Sequence, residues 1–184
     1  MSEIYNNKEL EKMNLIFGQN VIISKKVSIY NYGTIEIGNN VRIDDYCILS
    51  GNIKIGNNVH ISAYTALYGK YGIEIGNYCG CSPRCTILSG SDDFSGEYMI
   101  GPMVDEKFTN VTGSKIVMEN FSQLGTNSIV MPGVKIKEGA VCGCFSFVNK
   151  DLDAWTINVG IPTKVIKKRK VKLKQLVKEY ERTI

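Results

Sequence analysis

His60 is the one histidine among 184 residues. A neutral imidazole near pH 7 can take a proton from an attacking nucleophile, so His60 is the first candidate for general-base chemistry. As an ordinary surface residue it would need no more than a hydrogen bond. A second group is the acid pair Asp92-Asp93 behind Ser91, which at a turn can do nothing beyond forming it. Six cysteines raise the question of a metal, with Cys79, Cys81 and Cys85 in CGCSPRC and Cys142 and Cys144 in CGC. That spacing lacks the C-x-x-C pairs of zinc knuckles, so no metal is expected. Free cysteine packs as a small hydrophobe, and a reducing compartment keeps it so. A basic run includes Lys164, Lys167 and Lys168. It suits nucleic acid, a membrane surface or the phosphates of a small molecule, unless it is only the solvated start of a helix. No aromatic-interleaved basic face accompanies it, which disfavours nucleic acid.

The elements that must position these groups are set by a six-residue beat. Aliphatic anchors fall at Ile23 and Ile29, at Ile37, Ile43, Leu49, Ile55, Ile61 and Leu67, and at Ile75, Cys81 and Ile87. The beat returns at Met118, Leu124, Val130, Ile136, Cys142 and Val148. Each hexad predicts one short strand and one turn, and three hexads make a triangular coil of a parallel β-helix. Anchors fill the prism. The fifth position, also inward but near a corner, holds slim residues such as Val41, Cys47, Val59, Thr65, Cys79 and Cys85. Asn39-Asn40 and Asn57-Asn58 occupy turns, where unusual backbone angles cost them least. Two-residue slips are expected after Ile35 and after Ile73. A sandwich would show period two instead. On this frame His60 takes the sixth position of IGNNVH, outside the prism at a corner. Gly80 follows one coil on and would leave space beside the imidazole. Gln123 would share that corner if the phase survives the intervening loop.

Hydrophobic content of 43% and charged content of 22% are those of one ordinary soluble domain. No apolar run is long enough to span a bilayer and the first residues lack a signal-peptide core, so a cytoplasmic protein is expected. The expected organisation is an N-terminal cap over 1–15, a β-helix over 16–165, and a C-terminal helix over 166–184. Residues 93–113 break the beat as an excursion loop too long for a turn. Its Tyr98, Met99, Ile100 and Phe108 argue for packing on a neighbouring surface rather than disorder. An amphipathic stretch near 170–182 would cover the open end of the β-helix.

The hexads, the loop and the string VGIPTKVIKKR resemble the hexapeptide-repeat acyltransferases over roughly residues 16–169. The resemblance implies an all-β, left-handed parallel β-helix, a homotrimer with active sites in clefts between subunits, and acetyl-CoA as co-substrate. VHISAYTALYGKYGIEIGNYCG and SGSDDFSGEYMIGPMVDEKFTNVT resemble the subgroup that acetylates sugars for surface polysaccharides such as O-antigen, including the amine of dTDP-linked 4-amino-4,6-dideoxy sugars. Galactoside and maltose acetyltransferases carry a catalytic histidine in the loop. Here that stretch is Ser91-Asp92-Asp93-Phe94, and Phe121 also stands where relatives often place histidine. The family's mechanism therefore falls to His60, with Asp93 orienting the base or holding the sugar amine. The acceptor contacts implied are Ser91, Asp92, Tyr98 and Gly80. The coenzyme contacts implied are Gln123, Thr126, Cys144 and Asn149, with Lys164, Lys167 and Lys168 at its phosphates. An amine asks less of a base than a hydroxyl, which tilts the reading toward N-acetylation. An O-acetyltransferase on a sugar hydroxyl and a non-catalytic scaffold remain the alternatives.

Overall fold

The computed structural model describes residues 3–13, 15–30 and 35–183. Across them the chain winds as a left-handed parallel β-helix, as the resemblance implied. Each short strand pairs in parallel with the strand one coil later: Val41–Ile43 with Val59–Ile61, and that strand with Gly80–Cys81. The anchors stack in three inward columns. Ile37, Ile55, Ile75, Met118 and Ile136 line one wall. Ile43, Ile61, Cys81, Leu124 and Cys142 line the second. Leu49, Leu67, Ile87, Val130 and Val148 line the third. None is more than 3% exposed. A fully buried aliphatic side chain contributes roughly 1.5–3 kcal/mol, so these columns dominate the stabilisation.

The slim corner residues do more than fit. The Thr65 hydroxyl donates to the Ser82 carbonyl at 3.2 Å and the Ser128 hydroxyl to Gly143 at 3.0 Å. The thiols of Cys47, Cys79 and Cys85 reach the carbonyls of Ser62, Glu119 and Gly125, each at 3.2 Å. All six cysteines are free and five are buried, Cys144 being the exposed one. Burial pushes the Cys47 thiol up to about 11 and the Cys85 thiol up to about 12. They stay protonated and unreactive.

One turn is held by an asparagine ladder. The side-chain oxygens of Asn39, Asn57 and Asn77 accept the backbone N–H of Gln19, Asn39 and Asn57, each at 2.7 Å, and Asn120 accepts that of Asn77 at 2.8 Å. The next residues, Asn40 and Asn58, take left-handed φ values of 55° and 56°. Asparagine tolerates that region better than most residues.

The ends are closed differently from one another. Helix α1, Asn7–Lys12, begins with a capping box between Asn6 and Glu9 and lays its fully buried Leu10 over the first coil. Residues 1, 2 and 14 of the expected cap lie outside the described residues. At the other end, Lys164–Lys168 runs antiparallel to Thr156–Val159 and pairs the last edge of the sheet. The segment 166–184, expected as a helix, therefore opens as a strand. Helix α2, Lys172–Tyr180, follows but does not cover the open end. It lies along a flank, where Lys174 pairs with Glu138 at 2.7 Å and sits 5.3 Å from the centre of the Trp155 ring, and none of its residues is buried.

Both slips also fall earlier than expected. Gly51 pairs with Gly69, and Ile53 with Ile73, so the one residue between the pairs on the first strand faces three on the next. The extra residues precede Ile73, within 70–72. The first slip likewise lies between Tyr30 and Ile35, where residues 31–34 are outside the described ones.

Replacing Asn57 by alanine leaves the Asn39 N–H without its acceptor. The expected cost is about 1 kcal/mol, a fall in Tm of roughly 2–4 °C at fixed protein concentration. Asn57→Asp keeps an acceptor oxygen and should retain most of the stability. Equal melting temperatures for Asn57→Ala and wild type would show that the ladder contributes nothing.

Candidate active site

His60 projects from the outer face of Val59–Ile61, directly beside Arg42 of the preceding coil. Its Nε2 lies 2.7 Å from Oδ2 of Asp44, whose Oδ1 accepts from Nε of Arg42 at 2.7 Å. Burial pushes the Asp44 carboxyl upward, but the hydrogen bonds from Arg42 and His60 outweigh it and hold the group below the ordinary aspartate range. An ionised carboxylate only accepts. Nε2 of His60 is therefore a protonated nitrogen, and Nδ1 is the ring atom left to act as an acceptor in a neutral imidazole. The imidazole is half-exposed, and so within reach of a substrate.

The phase does survive the loop, because Gly80 pairs with Gln123. One column of outward positions thus runs from Arg42 through His60, Gly80 and Gln123 to Val141, Ile157 and Lys167. The space expected beside His60 at Gly80 is filled: a side-chain carbon there would come within 3.0 Å of the Gln123 amide. Thr126 and Cys144 occupy the next corner on adjacent coils, where the Phe145 N–H bonds to the Thr126 carbonyl at 2.8 Å. Asn149 follows Phe147–Val148 on the third wall, away from that corner. Lys164, Lys167 and Lys168 are exposed on the terminal strand and belong to no helix.

The acidic candidates lie elsewhere. Strands Gly90–Ser91 and Thr112–Gly113 pair antiparallel and close the base of the excursion loop. Above that base is a cavity of about 840 Å³, lined on the prism side by Tyr68 and Lys70 and on the loop side by Ser91, Asp92, Glu106 and Asn110 among others. Its volume falls within the range of small-molecule binding sites. Asp93 does not line it. Its carboxylate accepts from the Ser95 N–H at 2.7 Å, from the Ser95 hydroxyl and from the Asn110 amide at 3.2 Å. The Ser95 bonds lower its pKa most. These bonds tie Asp93 to the loop, and on this chain the carboxylate hydrogen-bonded to His60 is Asp44. Tyr98 is exposed and, like Gly80, stands outside the cavity lining.

The structure therefore places Ser91 and Asp92 together on the cavity lining, and sets His60, Gln123 and Lys167 at separate coils of one outward column, with His60 in contact with none of these others. Asp44 and Arg42 were missed from sequence. The available signal was Arg42 at the same hexad position as His60, one coil earlier. Among the described residues no three His, Cys, Asp or Glu side chains gather as a metal site.

Comparison with known proteins fits this geometry. The bacterial transferase hexapeptide family (six repeats) matches residues 34–69. A dTDP-4-amino-4,6-dideoxy-D-glucose acyltransferase of Escherichia coli is 42% identical over 162 residues, 86% of this chain and 84% of the relative. A crystal structure of a serine variant of AntD, an N-acyltransferase from Bacillus cereus, in complex with dTDP-4-amino-4,6-dideoxyglucose and coenzyme A, superposes with a TM-score of 0.97 at 44% identity over 100% of both chains. AntD in complex with dTDP and 3-hydroxybutyryl-CoA gives a TM-score of 0.96 at 45% identity, over 100% of this chain and 98% of that one. This chain belongs to the hexapeptide-repeat acyltransferases and, within them, to the enzymes that act on nucleotide-linked amino sugars.

Proposed function

We propose that this enzyme transfers an acetyl group from acetyl-CoA to the 4-amine of a dTDP-linked 4-amino-4,6-dideoxy sugar. The observation that carries the reading is the full-length superposition on AntD holding that sugar nucleotide and coenzyme A. The amine attacks the thioester carbonyl, Nδ1 of His60 removes its proton, and the tetrahedral intermediate collapses with loss of the coenzyme thiolate, which the imidazolium reprotonates. Asp44 fixes the ring and its tautomer throughout. No cysteine acyl-enzyme is involved.

A homotrimer completes the site in this reading. His60 and the loop cavity lie apart on one chain, so a neighbouring copy must bring its own cavity to the His60 column. The exposed loop residues Phe94, at 80%, and Met103, at 95%, support such docking. Ser91 and Asp92 would hold the sugar and its ammonium. Gln123, Thr126, Cys144 and Asn149 would track the pantetheine arm, with Lys164, Lys167 and Lys168 at the phosphates. Asp93 shapes the loop rather than reacting. The product, an activated N-acylated sugar, suits a glycosyltransferase building a surface polysaccharide. The unpaired cysteines accord with a cytoplasmic setting, and no described helix is long and apolar enough to cross a membrane.

Coenzyme release measured against a panel of acceptors tests the reaction class. Turnover is expected with the dTDP-linked 4-amino sugar and not with the corresponding neutral dTDP sugar or a simple glycoside. Release with the hydroxyl acceptors alone would replace this reading with O-acetylation.

His60→Ala should cut kcat/KM by about a hundred- to ten-thousandfold, the usual contribution of a general base. Undiminished turnover would remove the imidazole from the mechanism. Asp44→Asn should lower kcat with a smaller effect, because the ring loses its orienting carboxylate while keeping its nitrogen.

The Asp44 carboxyl is depressed below its ordinary value of 3.8. Its stabilising contribution is therefore present above that value and disappears as pH falls through the lower folded-state value. The Tm difference between wild type and Asp44→Asn should shrink as pH drops below about 4. A gap that holds constant into strong acid would contradict the assigned ionisation.

A further inference from the structure

The two-residue slip in the third-wall corner has a purpose that the repeat does not require. It sits directly beneath the point where the excursion loop leaves the prism, since the Ser89 N–H bonds to the Tyr68 carbonyl at 3.0 Å. Extending the corner needs a glycine with a left-handed φ, Gly72 at 101°. The extension places Tyr71 under the loop. Its N–H donates to the Ser89 hydroxyl at 2.9 Å and its phenol to the Val111 carbonyl at 2.7 Å. The ring fills the space beside Gly90 and Gly113, where a side-chain carbon on either glycine would overlap it. Both ends of the loop are thus built onto Tyr71.

The same extension turns Lys70 into the wall of the 840 Å³ cavity. Lys70 is the one cation among the described residues lining that cavity, which also holds the carboxylates of Asp92 and Glu106. Nearby lysines are neutralised: Lys54 pairs with Glu36 at 3.3 Å, and Lys115 with Glu74. Lys70 forms no salt bridge among the described residues, and its Nζ lies 5.7 Å from the centre of the Tyr71 ring. A cavity with one unneutralised ammonium and separate carboxylates matches a ligand that carries an anionic group and an amine. A neutral glycoside would use neither.

We propose that Lys70 binds the diphosphate of a nucleoside diphosphate-linked acceptor, and that the inserted corner is the device by which this cavity demands a nucleotide-activated sugar. The inference rests on the proposed acceptor class and adds the residue that enforces it. Coenzyme A carries a diphosphate too, so the test must separate the two sources.

Titration calorimetry of wild type and Lys70→Gln with dTDP and, separately, with coenzyme A makes that separation. The lost charge-assisted contact should weaken dTDP binding by about ten- to a hundredfold and leave coenzyme A binding unchanged. In kinetics, KM for the nucleotide-linked amino sugar should rise by a similar factor with kcat within about twofold. An unchanged melting temperature confirms that the variant folds. Equal dTDP affinity in the two proteins overturns the role of Lys70 while leaving the acceptor class intact. Weakening of coenzyme A in place of dTDP assigns the cation to the donor and overturns it equally. Failure of wild type to bind dTDP at all overturns the acceptor class, and this inference with it.

Discussion

Every coil hydrogen-bonds to the next around its perimeter, and this stacking constrains everything else in the molecule. A parallel ladder fixes register, so a residue's place in its hexad decides whether it fills the prism or stands outside it. Buried anchors hold the phase. Slim corner residues let the chain turn, and asparagine side chains satisfy backbone donors at one turn. A function on such a scaffold is written in outward columns, because residues at one hexad position in successive coils are neighbours in space. His60 is beside Arg42 and in line with Gln123 for that reason alone.

Departures from the beat are correspondingly informative. The corner extension at 70–72 and the excursion loop that rises above it interrupt the repeat without disturbing the core: Ile73 and Ile116 on either side are each no more than 1% exposed and pair directly. The repeat supplies rigidity, and the interruptions supply a cavity with charged walls. The His60 column and the loop cavity stand on different walls of the prism, which is why the proposed reading brings them together between copies.

The core and the main columns were legible in the sequence because a six-residue period leaves little choice of inward residue. Even the return of phase after the loop followed, once Gln123 was counted against Gly80. The slips were legible as events but not in place. Ile73 and Ile75 both point inward, so inserting residues before the first or after the second keeps the same beat. Asp93 was read as orienting the base or holding the sugar amine because it stands where the loop begins; on this chain its short side chain bonds to Ser95 and Asn110, a local pairing that acidic turn residues commonly make. Asp44 was passed over because a corner carboxylate has no period to betray which neighbour it turns toward. Helix α2 was amphipathic enough to suggest a lid. Its position along the flank is set by Lys174, Glu138 and Trp155, contacts distant in sequence that no local pattern announces.

The central claim is that this prism serves bond formation between a sugar nitrogen and an acyl carbon. The most direct measurement is nuclear magnetic resonance of the product formed from acetyl-CoA and a ¹⁵N-labelled dTDP-4-amino-4,6-dideoxy sugar. The account predicts a new amide N–H correlated with the proton at C4 of the sugar. A labelled amine that stays free, whether the acetyl group is found on a ring oxygen or on no sugar atom, would contradict it.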